Sequence, residues 1–425
     1  MEAALDLDAI ILADDPLASV SIAGLTARER ASRVAGKVGA SRVLVIDGSR
    51  DGVTAWRNGR TCPLLVIRAD QLVHTPLAAP LIEAIPDDGT AIAVGPDGSY
   101  AGAYVAAGSA AGQAITAIAR GDNTTAFADA TKIPHGEIAR HPIATREDRE
   151  GAHQLLYRLL IKPQDNVIAR YMFRPIARRL TRLLVQTPIT PNMLSVCVAV
   201  MITIACVLTA TADPRLVIIG AALQASSNYI DCCDGEIARL KLMTSRFGAW
   251  LDTVVDELST VAYMVACGWH CHLYWGHPGW DIWTVGIVVG LGTYLLAMSG
   301  IYYNIIVAVG SANSQDYVGK FEVVPGDEPN TVRLKPVVTE PVVRARPRPP
   351  WLQKIVDFAP NVVRRDFIVW CALIFAIFHL LHVSFAVQLT GGIVSAIIVS
   401  KDHIQLRLLR RKIARSGQRL LPPRR

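Results

Sequence analysis

The eight cysteines of this chain show neither metal-ligand spacing nor a framework of paired bridges: Cys232 and Cys233 are neighbours, and most of the others lie inside apolar runs. This excludes a cysteine-built zinc site and a disulfide-stapled secreted fold, and leaves reduced, structural thiols. The first residues are acidic and polar and lack the basic stretch and apolar core of a secretory leader, so the first domain is expected in the cytoplasm. No nucleic-acid motif and no internal repeat occurs. Lysine and arginine are missing from two segments, 270–281 and 379–385, although they are frequent before the first apolar run, between the second and third, between the fourth and fifth, and after the sixth.

What is present is apolar and basic. Of 425 residues 51% are hydrophobic, enough for a soluble domain plus a helical membrane bundle. The formal net charge is +7 (43 Lys and Arg against 36 Asp and Glu). The basic residues cluster beside apolar runs, which favours an anionic membrane surface over nucleic acid as partner.

Residues 1–142 read as a soluble α/β domain. DAIILA (8–13), SRVLVID (41–47), PLLVIRAD (63–70) and TAIAVG (90–95) are short β-rich runs between turn signals, and TARERASRVAGKVGA (26–40) is helical. That order predicts a mostly parallel, Rossmann-type sheet. Residues 143–192 form a linker and a juxtamembrane helix. Between Val167 and Val185 apolar residues recur at helical spacing, and Arg170, Arg174, Arg178, Arg179 and Arg182 supply a positive face, so this helix is expected in the membrane interface.

A membrane domain is predicted over 193–402, with six apolar stretches at about 193–211, 215–238, 249–268, 282–309, 366–383 and 384–401, each near the ~20 residues a bilayer requires. The loop 311–364, rich in Pro, Val and charge, is expected to be extended or hairpin-like, and 403–425 to be a basic tail. Since all Lys- and Arg-bearing connections fall on one side, both termini are expected to face the cytoplasm.

Residues 231–257, DCCDGEIARLKLMTSRFGAWLDTVVDE, break the apolar pattern. On a helix, Asp231, Asp234, Gly235, Ala238 and Arg239 fall within an arc of roughly 140°, and Gly248, Asp252 and Asp256 within about 80°. Two antiparallel helices joined by a short turn can aim these faces at one another. Four converging carboxylates would repel each other unless hard divalent cations held them, and oxygen-only ligands favour Mg²⁺ or Mn²⁺. Small Gly235, Ala238 and Gly248 would let a ligand approach the backbone, and Arg239 could meet a phosphate.

The pattern DxxDGxxAR, eight residues, then GxxxDxxxD resembles the signature of the CDP-alcohol phosphotransferase (CDP-alcohol phosphatidyltransferase) family at every fixed position: Asp231, Asp234, Gly235, Ala238, Arg239, Gly248, Asp252 and Asp256. The resemblance implies that Asp231, Asp234, Asp252 and Asp256 hold two Mg²⁺ or Mn²⁺ ions. It implies that Asp256 is the general base, that Asp231, Gly235, Ala238, Arg239 and Gly248 line the CDP site, and that the protein is a homodimer. Thr190-Pro191-Asn192 resembles the family's lead into its first span, with Thr190 or Asn192 as cap. RRDF (364–367) opens the fifth, where Arg364 and Arg365 are candidates for the phosphate of an acceptor, ordinary positive-inside anchoring being the alternative.

Residues 162–192 resemble the subgroup that joins this membrane domain to a nucleotidyltransferase-like domain, as in fusions of inositol-phosphate cytidylyltransferase with di-inositol-phosphate synthase. The first domain resembles such nucleotidyltransferases through AIILA and RADQLV (68–73), where Asp70 matches a metal-holding position. It lacks their Gly-rich loop: DDPLASVS (14–21) is too short to cradle a triphosphate, so the domain reads as degenerate.

The implied function is metal-dependent transfer of a phosphoalcohol from a CDP-linked donor to an acceptor hydroxyl with release of CMP, at the cytoplasmic face of the inner membrane. Phosphatidyl transfer from CDP-diacylglycerol, in phospholipid biosynthesis, is favoured. Transfer from a soluble CDP-polyol such as CDP-inositol, to a polyol phosphate or a lipid, is the alternative. Two other classes compete, a cation transporter and a silent scaffold. The first would want its carboxylates near mid-membrane, and the second would not need the complete acidic set.

Overall fold

A computed structural model describes residues 6–122, 127, 129–160, 173–311, 314–326, 328–337, 349 and 365–423. The chain forms two units, one of residues 1–164, 181–189 and 236–243, the other of residues 165–180, 190–235 and 244–425.

The first unit is built on a six-stranded sheet. Strands β1 (Asp8–Leu12), β2 (Arg42–Ile46), β3 (Leu64–Arg68), β4 (Gly89–Val94), β5 (Tyr100–Ala107) and β6 (Thr131–Pro134) lie in the order β2-β1-β3-β5-β4-β6. Every residue of β1 is buried, as befits a central strand covered on both faces. Its alternate side chains feed two cores: Ala9 and Ile11 pack with Leu65, Ile67 and helices α1 (Ala27–Lys37) and α2 (Thr75–Glu83), whereas Ile10 and Leu12 pack with Leu64, Val66 and α3 (Ser109–Arg120). Each fully buried Leu or Ile contributes about 1.5–3 kcal/mol. The sheet is mostly parallel, as expected: only β5 is reversed, running antiparallel between β3 and β4.

Helix starts in this unit are locally encoded. Thr26 accepts from the Glu29 amide while the Glu29 carboxylate accepts from the Thr26 amide, a capping box opening α1. Thr145 and Asp148 form a second one at α4 (Arg146–Arg158). Between the short strands Ser21–Ile22 and Leu25–Thr26 sits Gly24, at φ +74°, where a Cβ would lie 1.9 Å from the Val185 carbonyl oxygen; only glycine fits.

A buried arginine ties the unit together. Arg30 of α1, fully buried, donates to the Ile22 oxygen at 3.2 Å and to the Leu240 oxygen at 2.9 Å, and Arg33 donates to the Lys241 oxygen at 2.6 Å. Leu240 ends helix α7 (Pro214–Leu240), whose last carbonyls carry partial negative charge, so the two guanidinium groups meet a helix C-terminus. Burial lowers the Arg30 pKa to about 10, which still leaves it charged at neutral pH. Directly after α7, Lys241 Nζ donates to the Thr187 and Ile189 oxygens, and in α7's last turn Glu236 accepts from the Thr181 hydroxyl at 2.7 Å.

The second unit is helical. Helices α6 (Pro191–Thr209), α7, α9 (Ile282–Asn304, continued by a π-turn to Val309) and α11 (Leu381–Arg415) are long and apolar enough to cross a membrane. Six spans were expected. The third falls in α8 (Arg246–Trp275), 30 residues long but interrupted by its acidic residues, and the fifth in α10 (Arg365–Ile377), whose apolar part Phe367–Ile377 is shorter than a usual span. The expected 366–383 stretch ends early because the chain turns at His379, φ +57°.

Val196, Val200, Ile204 and Val207 make an exposed apolar stripe on α6, consistent with a lipid-facing side. Between helices, glycines permit close packing: a Cβ on Gly300 of α9 would lie 2.5 Å from Val399 Cγ1 of α11, and one on Gly290 would lie 2.6 Å from Met264 Sδ of α8. Trp275 and Trp283 pack together where α8 ends and α9 begins.

The insertion after α9 holds a hairpin of β7 (Phe321–Pro325) and β8 (Thr331–Pro336), within the range of forms expected for it. Within the expected basic tail, α11 runs on to Arg415, and β9 (Arg419–Leu420) adds in parallel to β8. Leu406 and Ile413, buried at helical spacing, give that basic stretch a packing face. Of the juxtamembrane helix, α5 (Arg174–Leu184) is described, while Val167 and Arg170 lie outside the described residues.

Candidate active site

Helices α7 and α8 are joined by residues 241–245, and the turn is defined at both ends. Leu242 adopts φ +53°, its amide bonds to the Arg239 oxygen and the Met243 amide bonds to the Ala238 oxygen, a Schellman closure built on leucine where glycine is usual. Ser245 then caps α8, accepting from the Gly248 amide at 2.9 Å.

The turn returns the chain so that Asp231 of α7 meets Asp252 and Asp256 of α8. One carboxylate oxygen from each of the three lies within 4.8 Å of the others, and all three side chains are half-buried, open to a ligand. Oxygens around one octahedral divalent ion stand about 3–4.2 Å apart at bonds of about 2.1 Å, so the set fits a hard cation after a small closure.

Asp234 lies outside that group of three. It is buried and accepts the Ser195 hydroxyl of α6 at 2.7 Å, though it remains within electrostatic range of Asp231 and Asp252. A Cβ on Gly248 would stand 3.1 Å from both Asn192 Oδ1 and Ser245 Oγ, a tight contact at side-chain tips. Gly235, Ala238 and Arg239 are half-buried along α7. Arg364 and the Arg365 side chain lie outside the described residues. In the first unit, Asp70 pairs with Arg68.

Three neighbours escaped the sequence reading. Ser195 holds Asp234; its signal is position, one turn beyond Thr190-Pro191-Asn192, where Thr190 proves to be the cap of α6. Glu257, adjacent to Asp256, accepts the Tyr294 hydroxyl at 2.8 Å instead of joining the three aspartates. Both Glu257 and Tyr294 line an apolar cavity of about 260 Å³ between α8, α9 and α11.

Fold and site together define a helical unit with helices long and apolar enough to cross a membrane and a cluster of three carboxylates, on two consecutive helices, that could hold a cation. Residues 188–325, which contain that cluster, match the family described as CDP-alcohol phosphatidyltransferase, and the chain carries a domain of this phosphotransferase class. Among similar proteins is the "Bifunctional IPC transferase and DIPP synthase" of Aquifex aeolicus, 32% identical over 158 residues, which are 36% of this chain and 36% of the relative. A protein of the same description from Thermococcus kodakarensis is 30% identical over 116 residues, 27% of this chain and 26% of the relative. The "Archaetidylinositol phosphate synthase" of Methanothermobacter thermautotrophicus is 41% identical over 56 residues, 13% of this chain and 29% of the relative. The matches thus span about a third or less of each relative's length.

Proposed function

We propose that the protein is an integral-membrane CDP-alcohol phosphotransferase that transfers a phosphoalcohol from a CDP-linked donor to an acceptor hydroxyl and releases CMP. The observation that carries this reading is the convergence of Asp231, Asp252 and Asp256 within the stretch that matches the family. Asp231 and Asp252 would hold a divalent ion, Mg²⁺ or Mn²⁺, and Asp234, oriented by Ser195, would complete the set for a second. When bound, such ions supply charge neutralisation to the diphosphate. Asp256 takes the proton from the acceptor hydroxyl, which then attacks the β-phosphorus in line. Gly235, Ala238, Arg239 and Gly248 receive the cytidine diphosphate. Arg364 and Arg365 serve an acceptor phosphate, and the chain works as a dimer with the site and both termini cytoplasmic.

The favoured donor is CDP-diacylglycerol. The apolar cavity that begins one residue beyond Asp256 supports a substrate with hydrocarbon, and the relative named for archaetidylinositol phosphate supports an inositol phosphate as acceptor. A soluble CDP-polyol donor is the second reading, favoured by the longer matches to the bifunctional relatives.

The test is CMP release by the purified protein with Mg²⁺ or Mn²⁺ over a panel of CDP-alcohols and acceptors. Asp256→Asn is expected to lower kcat by about 10²–10⁴ while donor binding persists; wild-type turnover in that variant would remove Asp256 as the base. Asp231→Ala is expected to lose metal-dependent turnover, and full activity without added metal would refute the site.

A further inference from the structure

Beyond its apolar part, α11 continues as a basic helix to Arg415. There Arg407, Arg410 and Arg411 line a cavity of about 380 Å³ together with Tyr303 of α9 and Gln418. Tyr303 organises the group: the Arg407 guanidinium carbon lies 5.2 Å from its ring centroid and that of Arg410 lies 6.0 Å away. Arg410 also donates to the Tyr303 hydroxyl oxygen at 2.6 Å. No carboxylate lines the cavity, and among the described residues none of the three arginines has an ion-pair partner. Like charges gathered around one hollow repel each other until an anion enters it, and planar guanidinium forks match phosphate oxygens.

The surroundings narrow the anion. Ile404 and Leu408, 55% and 57% exposed, share a helical arc of about 100° with Arg407 and Arg411. Apolar and cationic side chains interleaved on one face suit the boundary between acyl chains and phosphates. Anchoring by the positive-inside rule alone requires neither a cavity nor an aromatic floor beneath the charges. We propose that this cavity binds the phosphodiester headgroup of an anionic membrane lipid, separately from the aspartate centre.

The experiment uses the full chain in detergent, with phosphatidylglycerol, phosphatidylcholine or inorganic phosphate added, and reads lipid retained by native mass spectrometry and the thermal midpoint. Phosphatidylglycerol is expected to half-saturate at a concentration at least ten-fold below phosphatidylcholine. The double variant Arg407→Gln/Arg411→Gln should lose that preference while CMP release is unchanged. The charge-conserving Arg407→Lys/Arg411→Lys pair should weaken retention at least three-fold, because an ammonium lacks the fork, and it decides the matter if the glutamine variant does not fold. Equal retention of the two lipids, or a lysine variant that binds like wild type, would overturn the site. Displacement of the lipid by inorganic phosphate at equal concentration would overturn the lipid as its source.

Discussion

Asp234 and Asp256 carry the same carboxyl group into different surroundings. Asp256 is half-buried beside two other carboxylates, whereas Asp234 is buried with a hydroxyl donated to it. Ser195→Ala removes that donor and leaves a buried oxygen unsatisfied, at a cost of about 1–3 kcal/mol. Partners behind a metal ligand typically change affinity 10–100-fold, so the Mn²⁺ concentration for half-activity should rise by about ten-fold, with kcat at saturating Mn²⁺ much less affected. A metal titration of CMP release checks this. The spacings DxxD and DxxxD place Asp231 with Asp234 on one helical face and Asp252 with Asp256 on another, and the short turn between the two helices lets Asp231, Asp252 and Asp256 converge. The difference between Asp234 and Asp256 was not legible, because it depends on Ser195 of another helix, 39 positions earlier.

At the scale of elements, the capping boxes give a pH dependence with a definite sign. Hydrogen bonds from Thr26 hold the Glu29 carboxyl below its ordinary value of 4.5, and those from Thr145 do the same for Asp148. A depressed native pKa contributes stability that is fully present above the unfolded value and is lost as pH falls through the native one. Helix α1 should therefore loosen as pH drops below about 4.5 and α4 as it drops below about 3.8, and Thr26→Ala, which costs about 1 kcal/mol, should reduce that pH dependence in α1, measured by hydrogen exchange of α1. Among the helices of the second unit, Gly300→Ala would press a methyl against Val399, an overpacking cost of about 1–3 kcal/mol that Val399→Ala should relieve; a double-mutant cycle of thermal midpoints measures the coupling. Strands β1 to β3 were readable because Ile, Leu and Val dominate them, and β4 because Thr90, Ile92 and Val94 alternate along it. YAGAYVAA, which forms β5, was not, since Ala and Gly have little preference for strands and its burial between β3 and β4 is a tertiary effect. The basic stretch after residue 401 read as a tail for a similar reason: its helix is fixed by Leu406 and Ile413, two apolar residues among many charges.

For the molecule as a whole, the division into units does not follow the division into soluble and apolar sequence. Residues 236–243, the last turn of α7 and the closure after it, belong to the first unit, where Arg30 and Arg33 hold their carbonyls. Arg30→Met leaves the Ile22 and Leu240 oxygens without these donors and should destabilise this unit by about 1–3 kcal/mol, seen as faster amide exchange at 236–243 in the full chain. Nothing in the local sequence around Arg30 announces a partner 210 positions away.

The same arrangement sets an order of events during synthesis. The α/β sheet is finished by Pro134, but the turn that satisfies Arg30 leaves the ribosome roughly 100 residues later, after α6 and most of α7. At about 5–20 residues per second this delay is on the order of 5–20 s, during which the apolar helices are already emerging. The first unit therefore reaches its final packing only once α6 and α7 have been made, and a ribosome stalled between these points would hold a sheet whose innermost arginine still waits for its acceptor.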